Sequence, residues 1–96
     1  MLLSEMCKLC DATLIRDSKV STLGFIDQDL HGRLVFAGTP LALKAALAAP
    51  GIGSILADAN IDISMVPSQI GIATAHRSDI AFFNLQKSLF LSLIHI

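Results

Sequence analysis

The sequence predicts a small α/β domain, a mixed sheet with short helices packed on it, and three observations carry that expectation. Strand-like and helix-like runs alternate through the second half, a pattern that argues for an α/β layer with some parallel pairing. Gly38-Thr39-Pro40 separates such runs with strong start signals. Thr caps a helix well, and Pro at the first helical position lacks only an N–H that would have no helical partner. Finally, the chain of 96 residues is 53% apolar and only 16% charged, which excludes a disordered segment.

Leu3–Cys10 reads as a short helix, with Ser4 as N-cap, Glu5 favourable to the helix dipole, and Met6, Leu9 and Cys10 at helical spacing. Ala12-Thr-Leu-Ile15 is strand-like and is closed by the polar group Arg16–Lys19. Val20–Ile26 is a second strand, Asp27–Gly32 a loop with a turn-type ending, and Arg33–Ala37 a third strand. The helix Pro40–Ala49 follows, with Leu43 and Leu47 on one side and Lys44 turned to water, and Pro50-Gly51 ends it. Ser54–Ala57 is expected as a buried strand, and Asp58–Gln69 as a loop with room for a short strand near Ile61–Met65. Ile70–Ala75 is the last strand. Arg77-Ser78-Asp79 opens a final helix, where Ala81, Phe82, Leu85 and Leu89 form a broad apolar face widened by Phe83 and Phe90. Asn84 and Lys87 lie opposite.

Composition excludes several partners. Net charge is −1 and the seven Lys and Arg are scattered, so no basic patch for nucleic acid or anionic membrane is visible. The most apolar stretch, Pro40–Ala57, is broken by Pro50-Gly51, and Ile80–Ile96 carries Asn84, Gln86, Lys87 and His95. Neither suits a membrane span, which needs roughly 20 apolar residues in unbroken helix. Glu5 and Lys8 interrupt the only candidate signal peptide, so the expected location is cytoplasmic.

Chemistry is equally sparse. Cys7 and Cys10 form a C-x-x-C, but His31, His76 and His95 lack the paired spacing of a zinc site, and a redox motif would follow a strand. The expected role of the cysteines is small apolar packing on a helix, with no metal. A Cys10–His76–Asp arrangement has no supporting spacing, and Asp27/Asp29 and Asp58/Asp62 read as solvated loop carboxylates. Gly51-Ile-Gly53 precedes a strand, which is the wrong context for a dinucleotide loop. No catalytic residue and no cofactor are expected. Binding is better served: Phe36 and the turn Ala37–Pro40 would set an aromatic ring beside a helix N-terminus, where a flat base can stack and backbone N–H groups can meet an anion. The plain alternative for Phe36 is a core position between strand and helix.

Leu3-Ser-Glu-Met-Cys-Lys-Leu-Cys-Asp-Ala-Thr-Leu-Ile15, Val20-Ser-Thr-Leu-Gly24 and Gly32-Arg-Leu-Val-Phe36 follow one another in an order that resembles a known module. Leu43-Lys-Ala-Ala-Leu47, Gly53-Ser-Ile-Leu56, Ile80-Ala-Phe-Phe-Asn-Leu85 and Leu89-Phe90 continue it. The module is the N-terminal non-repeat, uridine-binding domain of UDP-3-O-(3-hydroxyacyl)glucosamine N-acyltransferases of lipid A biosynthesis. The resemblance spans about residues 3 to 90 through individually degenerate motifs. It implies a following left-handed parallel β-helix of hexapeptide repeats, which this chain lacks, and a homotrimeric parent enzyme. That parent would transfer a 3-hydroxyacyl chain from acyl carrier protein to UDP-3-O-acylglucosamine, with its catalytic His in the missing β-helix. The family holds uracil partly through Phe-x-x-Asn-Pro-x-Tyr. Phe36 and Pro40 match this motif, Thr39 stands for Asn, and Ala42 stands for Tyr. The nucleotide-binding residues implied are therefore Phe36 and Thr39. Thr keeps the helix cap but loses the amide, and Ala removes a stacking surface worth about 1–3 kcal/mol. A later Asn-Pro of the family falls on Arg77-Ser78 and is absent. The alternatives are a non-catalytic packing or adaptor module, or the first domain of a Mur-type ligase with a phosphate-binding glycine loop after Phe90.

Leu91-Ser-Leu-Ile-His-Ile96 resembles one reading frame of a transposon-end adapter used in shotgun libraries. The expectation is a domain over residues 1–90, truncated from a longer protein, with a non-native tail at 91–96. The other reading extends the last helix to a natural apolar terminus.

Overall fold

A computed structural model describes residues 2–24 and 31–91. Helix α1 (Leu3–Cys10) leads into strand β1 (Thr13–Arg16), followed by β2 (Thr22–Leu23) and β3 (Arg33–Ala37). Helix α2 (Pro40–Ala48), strands β4 (Ile52–Asp58) and β5 (Gly71–Ala75), and helix α3 (Ser78–Leu91) complete the order. The five strands form one mixed sheet in the order β1-β5-β4-β3-β2. β2 through β5 are mutually parallel, and β1 lies antiparallel to β5 at the edge. The expected α/β class with a small mixed sheet is what the chain forms.

Strand periodicity of two divides the core between the faces of the sheet. Leu34, Leu56, Ala73 and Ala75 point to one face, where α1 supplies Leu3, Met6 and Cys7, and α3 supplies Ala81, Phe82 and Leu85. Val35, Ala37, Ile55, Ala57 and Ile72 point to the other, under Leu43 and Ala46 of α2 and under Ile61 and Val66 of the segment after β4. The central strands are thus apolar on both sides, as parallel strands must be when both faces are covered. Phe82 and Leu85 are wholly buried, and loss of either to Ala would remove roughly 2–5 kcal/mol.

Local chemistry sets the element ends. α2 starts as expected: the Thr39 hydroxyl accepts from the Ala42 N–H at 3.1 Å, and Pro40 takes the first helical position. Gly51, after Pro50, adopts φ +76°, a left-handed conformation open to glycine at little cost, and the chain reverses into β4. Its carbonyl accepts from the backbone N–H groups of Gly32 and Arg33 at 2.8 and 3.3 Å, tying the start of β3 to this turn. The fully buried Arg33 adds a bond from Nη1 to the Pro50 carbonyl at 2.6 Å. The start of α1 differs from expectation. Leu2, not Ser4, is the N-cap; Glu5 Oε1 accepts from the Leu2 N–H, and Asp17 Oδ1 accepts from the Ser4 N–H, both at 3.0 Å. A carboxylate from the next loop does the work expected of the Ser4 hydroxyl.

Two further expectations change. The second strand is confined to Thr22–Leu23 among the described residues, and Phe25, Ile26 and the loop residues 27–30 lie outside them. No strand forms near Ile61–Met65: that segment runs through turns, and Ile61 and Val66 serve as core plugs over the sheet. Arg16 holds its far end, donating from Nε to the Ile70 carbonyl at 2.8 Å and from Nη2 to those of Val66 and Pro67 at 3.3 and 2.5 Å. Among the described residues, no helix is long and apolar enough to cross a membrane.

Candidate functional site

In open sheets with parallel strands, ligands settle outside the carboxyl ends of the strands, at the place where successive connections leave for opposite faces. Here the chain leaves β3 for α2 on one face and leaves β5 for α3 on the other. The ends of β3, β4 and β5 bring together the Gly38-Thr39 turn, Asp58 and the segment His76–Asp79.

Asp58 was expected among solvated loop carboxylates. It instead ends β4, half-buried, and its Oδ1 accepts from the Ser78 backbone N–H at 2.7 Å, capping α3 from a neighbouring strand. The Ser78 hydroxyl is buried and has no hydrogen-bond partner among the described residues. It faces Gly38, where an added Cβ would come within 3.8 Å of it. Arg77 and Asp79 form a two-point pair on the surface, Nε to Oδ1 at 3.2 Å and Nη2 to Oδ2 at 2.9 Å. The Arg77 hydrogen bond is the leading cause that holds the Asp79 carboxyl below the usual carboxylate range. Both side chains are exposed, so the pair adds little to stability.

Phe36 does not stand beside the N-terminus of α2. It points to the opposite face of the sheet, half-buried against the cluster of α1 and α3. Its ring centroid lies 4.9 Å from that of Phe82 and 6.5 Å from that of Phe83, with interplanar angles of 43° and 47°. Tilted contacts at these separations are favourable aromatic packing. Thr39 is exposed at the same end of β3, its oxygen committed to the α2 cap and its proton free to donate. Ala42 packs toward the other core, on the face away from Phe36. Phe36 and Thr39 therefore share one edge of the sheet but address different faces.

The remaining candidates are structural. Cys7 is buried and its thiol is pushed up to about 11, first by burial and then by the charges of Cys10 and Asp17. Cys10 donates to the Met6 carbonyl at 3.3 Å, a bond within α1, and burial raises its pKa too. A thiol held protonated is a poor nucleophile and a poor metal ligand. His31 and His76 are exposed, and no hydrogen bond joins either to a cysteine among the described residues. Asp62 accepts from the Ser64 N–H at 3.0 Å in a local turn, whereas Asp27 and Asp29 lie outside the described residues. No group of three or more His, Cys, Asp or Glu suited to a metal ion occurs among the described residues. An open depression of about 420 Å³ between α1 and β1, lined by Ser4, Cys7, Lys8, Asp11, Ala12 and Leu14, contains no reactive combination.

Phe83 is the feature that sequence reasoning undervalued. Expected to widen the apolar face of α3, it is instead 57% exposed while its neighbour Phe82 is fully buried. The signal lay in the helical spacing: Phe82 and Leu85 share the buried stripe with Ser78, and Phe83 is one residue round the helix from it. No family model matches this chain, and no curated protein matches it.

Proposed function

We propose that this chain is the nucleotide-sugar-positioning N-terminal domain of a hexapeptide-repeat N-acyltransferase of lipid A biosynthesis, with no turnover of its own. In this reading a left-handed β-helix follows, the parent is a cytoplasmic homotrimer, and acyl carrier protein docks on the part beyond this chain. The observation that supports it best is that Phe36 and Thr39 both lie at the carboxyl end of β3, the end where parallel sheets receive ligands, although they address different faces of the sheet. The ordered resemblance over residues 3 to 90 supports the same reading.

The test is the thermal midpoint of the chain with UMP or a UDP-sugar at about 100 times its dissociation constant. Binding at that level adds about 2.7 kcal/mol, a rise of about 10 °C or more for a domain of this size. Phe36→Ala lowers the starting midpoint through its lost contact with Phe82, so the quantity compared is the ligand-induced rise, expected to vanish in the variant. Equal rises in both proteins remove Phe36 from the site, and no rise in the wild type removes the uridine reading.

A second reading, a packing or adaptor module, is favoured by the exposure of Leu41, Ile80 and Phe83. The source DNA beyond the Phe90 codon separates the readings. Hexapeptide repeats with a His support the acyltransferase, and a glycine loop ending in Lys and Ser or Thr supports a Mur-type ligase.

A further inference from the structure

β1 ends one side of the sheet, and no strand lies along its outer edge among the described residues. In an antiparallel pair every second residue turns its N–H and C=O away from the partner strand. On β1 those outward groups have no backbone partner among the described residues. Its side chains are open too: Leu14 is 38% exposed and Ile15 53%. Sheet edges that stay single are commonly guarded by a charge or a proline in the strand. Thr13-Leu-Ile15 carries neither. Arg16, the one charge of β1, is folded away, its guanidinium donating to the carbonyls of Val66, Pro67 and Ile70. A bulge between Leu14 and Arg16 limits the run that can pair, which suits a short, local contact.

The charges beside this edge indicate which strand fits it. The open depression between α1 and β1 is lined in part by Cys7, Ala12 and Leu14, and also by Lys8 and Asp11. Lys8 on α1 and Asp11 at its C-terminal cap are both exposed and opposite in sign. A patch of one sign calls for a partner of the other sign. A patch with one of each is its own complement when it meets itself across a two-fold axis. The same axis relates two copies of one strand paired antiparallel, so the edge and the charges ask for the same partner.

We propose that β1 is a dimerisation strand: two copies of this chain pair β1 with β1, antiparallel about a two-fold axis, and their sheets become continuous. Leu14 and Ile15 lose their exposure against the second copy, and Lys8 of each copy meets Asp11 of the other. The pairing uses up the open edge of β1 in both copies, so assembly stops at two. It is independent of the nucleotide reading, which concerns the carboxyl ends of the central strands.

The experiment is sedimentation equilibrium of the full chain from micromolar to millimolar concentration, with hydrogen exchange of the β1 amides. The proteins are wild type, Leu14→Lys, Lys8→Glu, Asp11→Asn and Phe83→Ala. Wild type is expected to show a monomer–dimer equilibrium, with β1 amides better protected as concentration rises. Leu14→Lys is expected to weaken the dimer by about ten-fold or more, because two like charges would meet at the paired edge. Lys8→Glu, which makes the patch single-signed, is expected to weaken it by about three-fold or more. Asn tolerates the left-handed backbone at Asp11, and an equal mixture of Lys8→Glu and Asp11→Asn is expected to associate more tightly than Lys8→Glu alone. All these side chains are exposed, so the monomer keeps its fold, and Phe83→Ala leaves the dimer unchanged. A wild type still monomeric at millimolar concentration overturns the proposal. So does a dimer that Leu14→Lys and Lys8→Glu leave intact, or one lost in Phe83→Ala, which would place the contact on α3. Assembly beyond two copies overturns it as well.

Discussion

The carboxylate of Asp58, the last residue of β4, holds the backbone N–H of Ser78, the first residue of α3, at 2.7 Å. The two are joined through β5, so this bond fixes the helix to a strand that is its neighbour in space and not in sequence. It anchors the first turn of α3, the turn just before Phe82 and Phe83, to the end of β4.

Asp58→Ala should therefore cost about 1 kcal/mol, as loss of an N-cap carboxylate does, and should shift the ring resonances of Phe36 and Phe83. Asp58→Asn keeps an acceptor oxygen and should recover most of both effects. Urea denaturation and proton NMR of the three proteins check this.

Ser78→Ala is expected to move the other way. A buried hydroxyl without a partner costs part of its hydration, and Ser78 Oγ is such a group among the described residues. Its removal should leave stability unchanged or raise it by about 1 kcal/mol, read as the urea midpoint. A clear loss would mean that the hydroxyl has a partner of consequence.

Gly71→Ala should be among the most damaging single-methyl additions. The new Cβ would lie 2.0 Å from Ser18 Oγ, 2.7 Å from Ser18 Cβ and 3.2 Å from the Arg16 carbonyl oxygen. The clash is with a side chain whose hydroxyl already bonds Ser54, so relief requires breaking that bond. A loss of about 1–3 kcal/mol is expected, and Ser18→Gly in the same chain should recover a large part of it through positive coupling.

Cys7 provides a pH dependence. Its folded thiol, pushed up to about 11 mainly by burial, ionises later than the ordinary value of 9.0 that the unfolded chain shows. The unfolded state therefore binds fewer protons than the folded one in this interval, and stability falls as pH rises. The contribution of Cys7 is fully present below pH 9 and is lost as pH climbs toward 11. Urea midpoints at pH 8 and pH 10.5 for wild type and Cys7→Ala should show a steeper decline in the wild type. At pH 8 Cys7 should alkylate with iodoacetamide far more slowly than a free thiol.

The elements the sequence disclosed best were those whose signals are local. Thr39-Pro40 marks the start of α2, and Pro50-Gly51 marks its end, because cap chemistry and backbone conformation are set by the residues themselves. β3, β4 and β5 were legible as apolar runs for a related reason: both of their faces are buried. What stayed hidden depends on residues far apart in the chain. The N-terminus of α1 is served by Asp17, and that of α3 by Asp58, so inspection of either helix alone misses the partner. The segment with Ile61 and Val66 has strand-like composition, but it plugs the core from turns because the sheet beneath it already has its strands paired. At the site, Phe36 was placed on the correct strand but given the wrong neighbours. A residue's face follows from strand parity, and parity could not be assigned until both faces were known to be covered.

The pairing of β1 with β5 has a consequence for how the molecule assembles. Thr13 meets Thr74 and Leu14 meets Ala73, so the first strand made finds its partner only in the last. Contacts between such distant positions form slowly, because a long loop must be closed before they contribute. On a ribosome, β2, β3, α2 and β4 would emerge and pair while β1 still waited at the edge of an unfinished sheet. The sheet would remain incomplete until β5 and α3 were released and α1 and β1 could meet their partners.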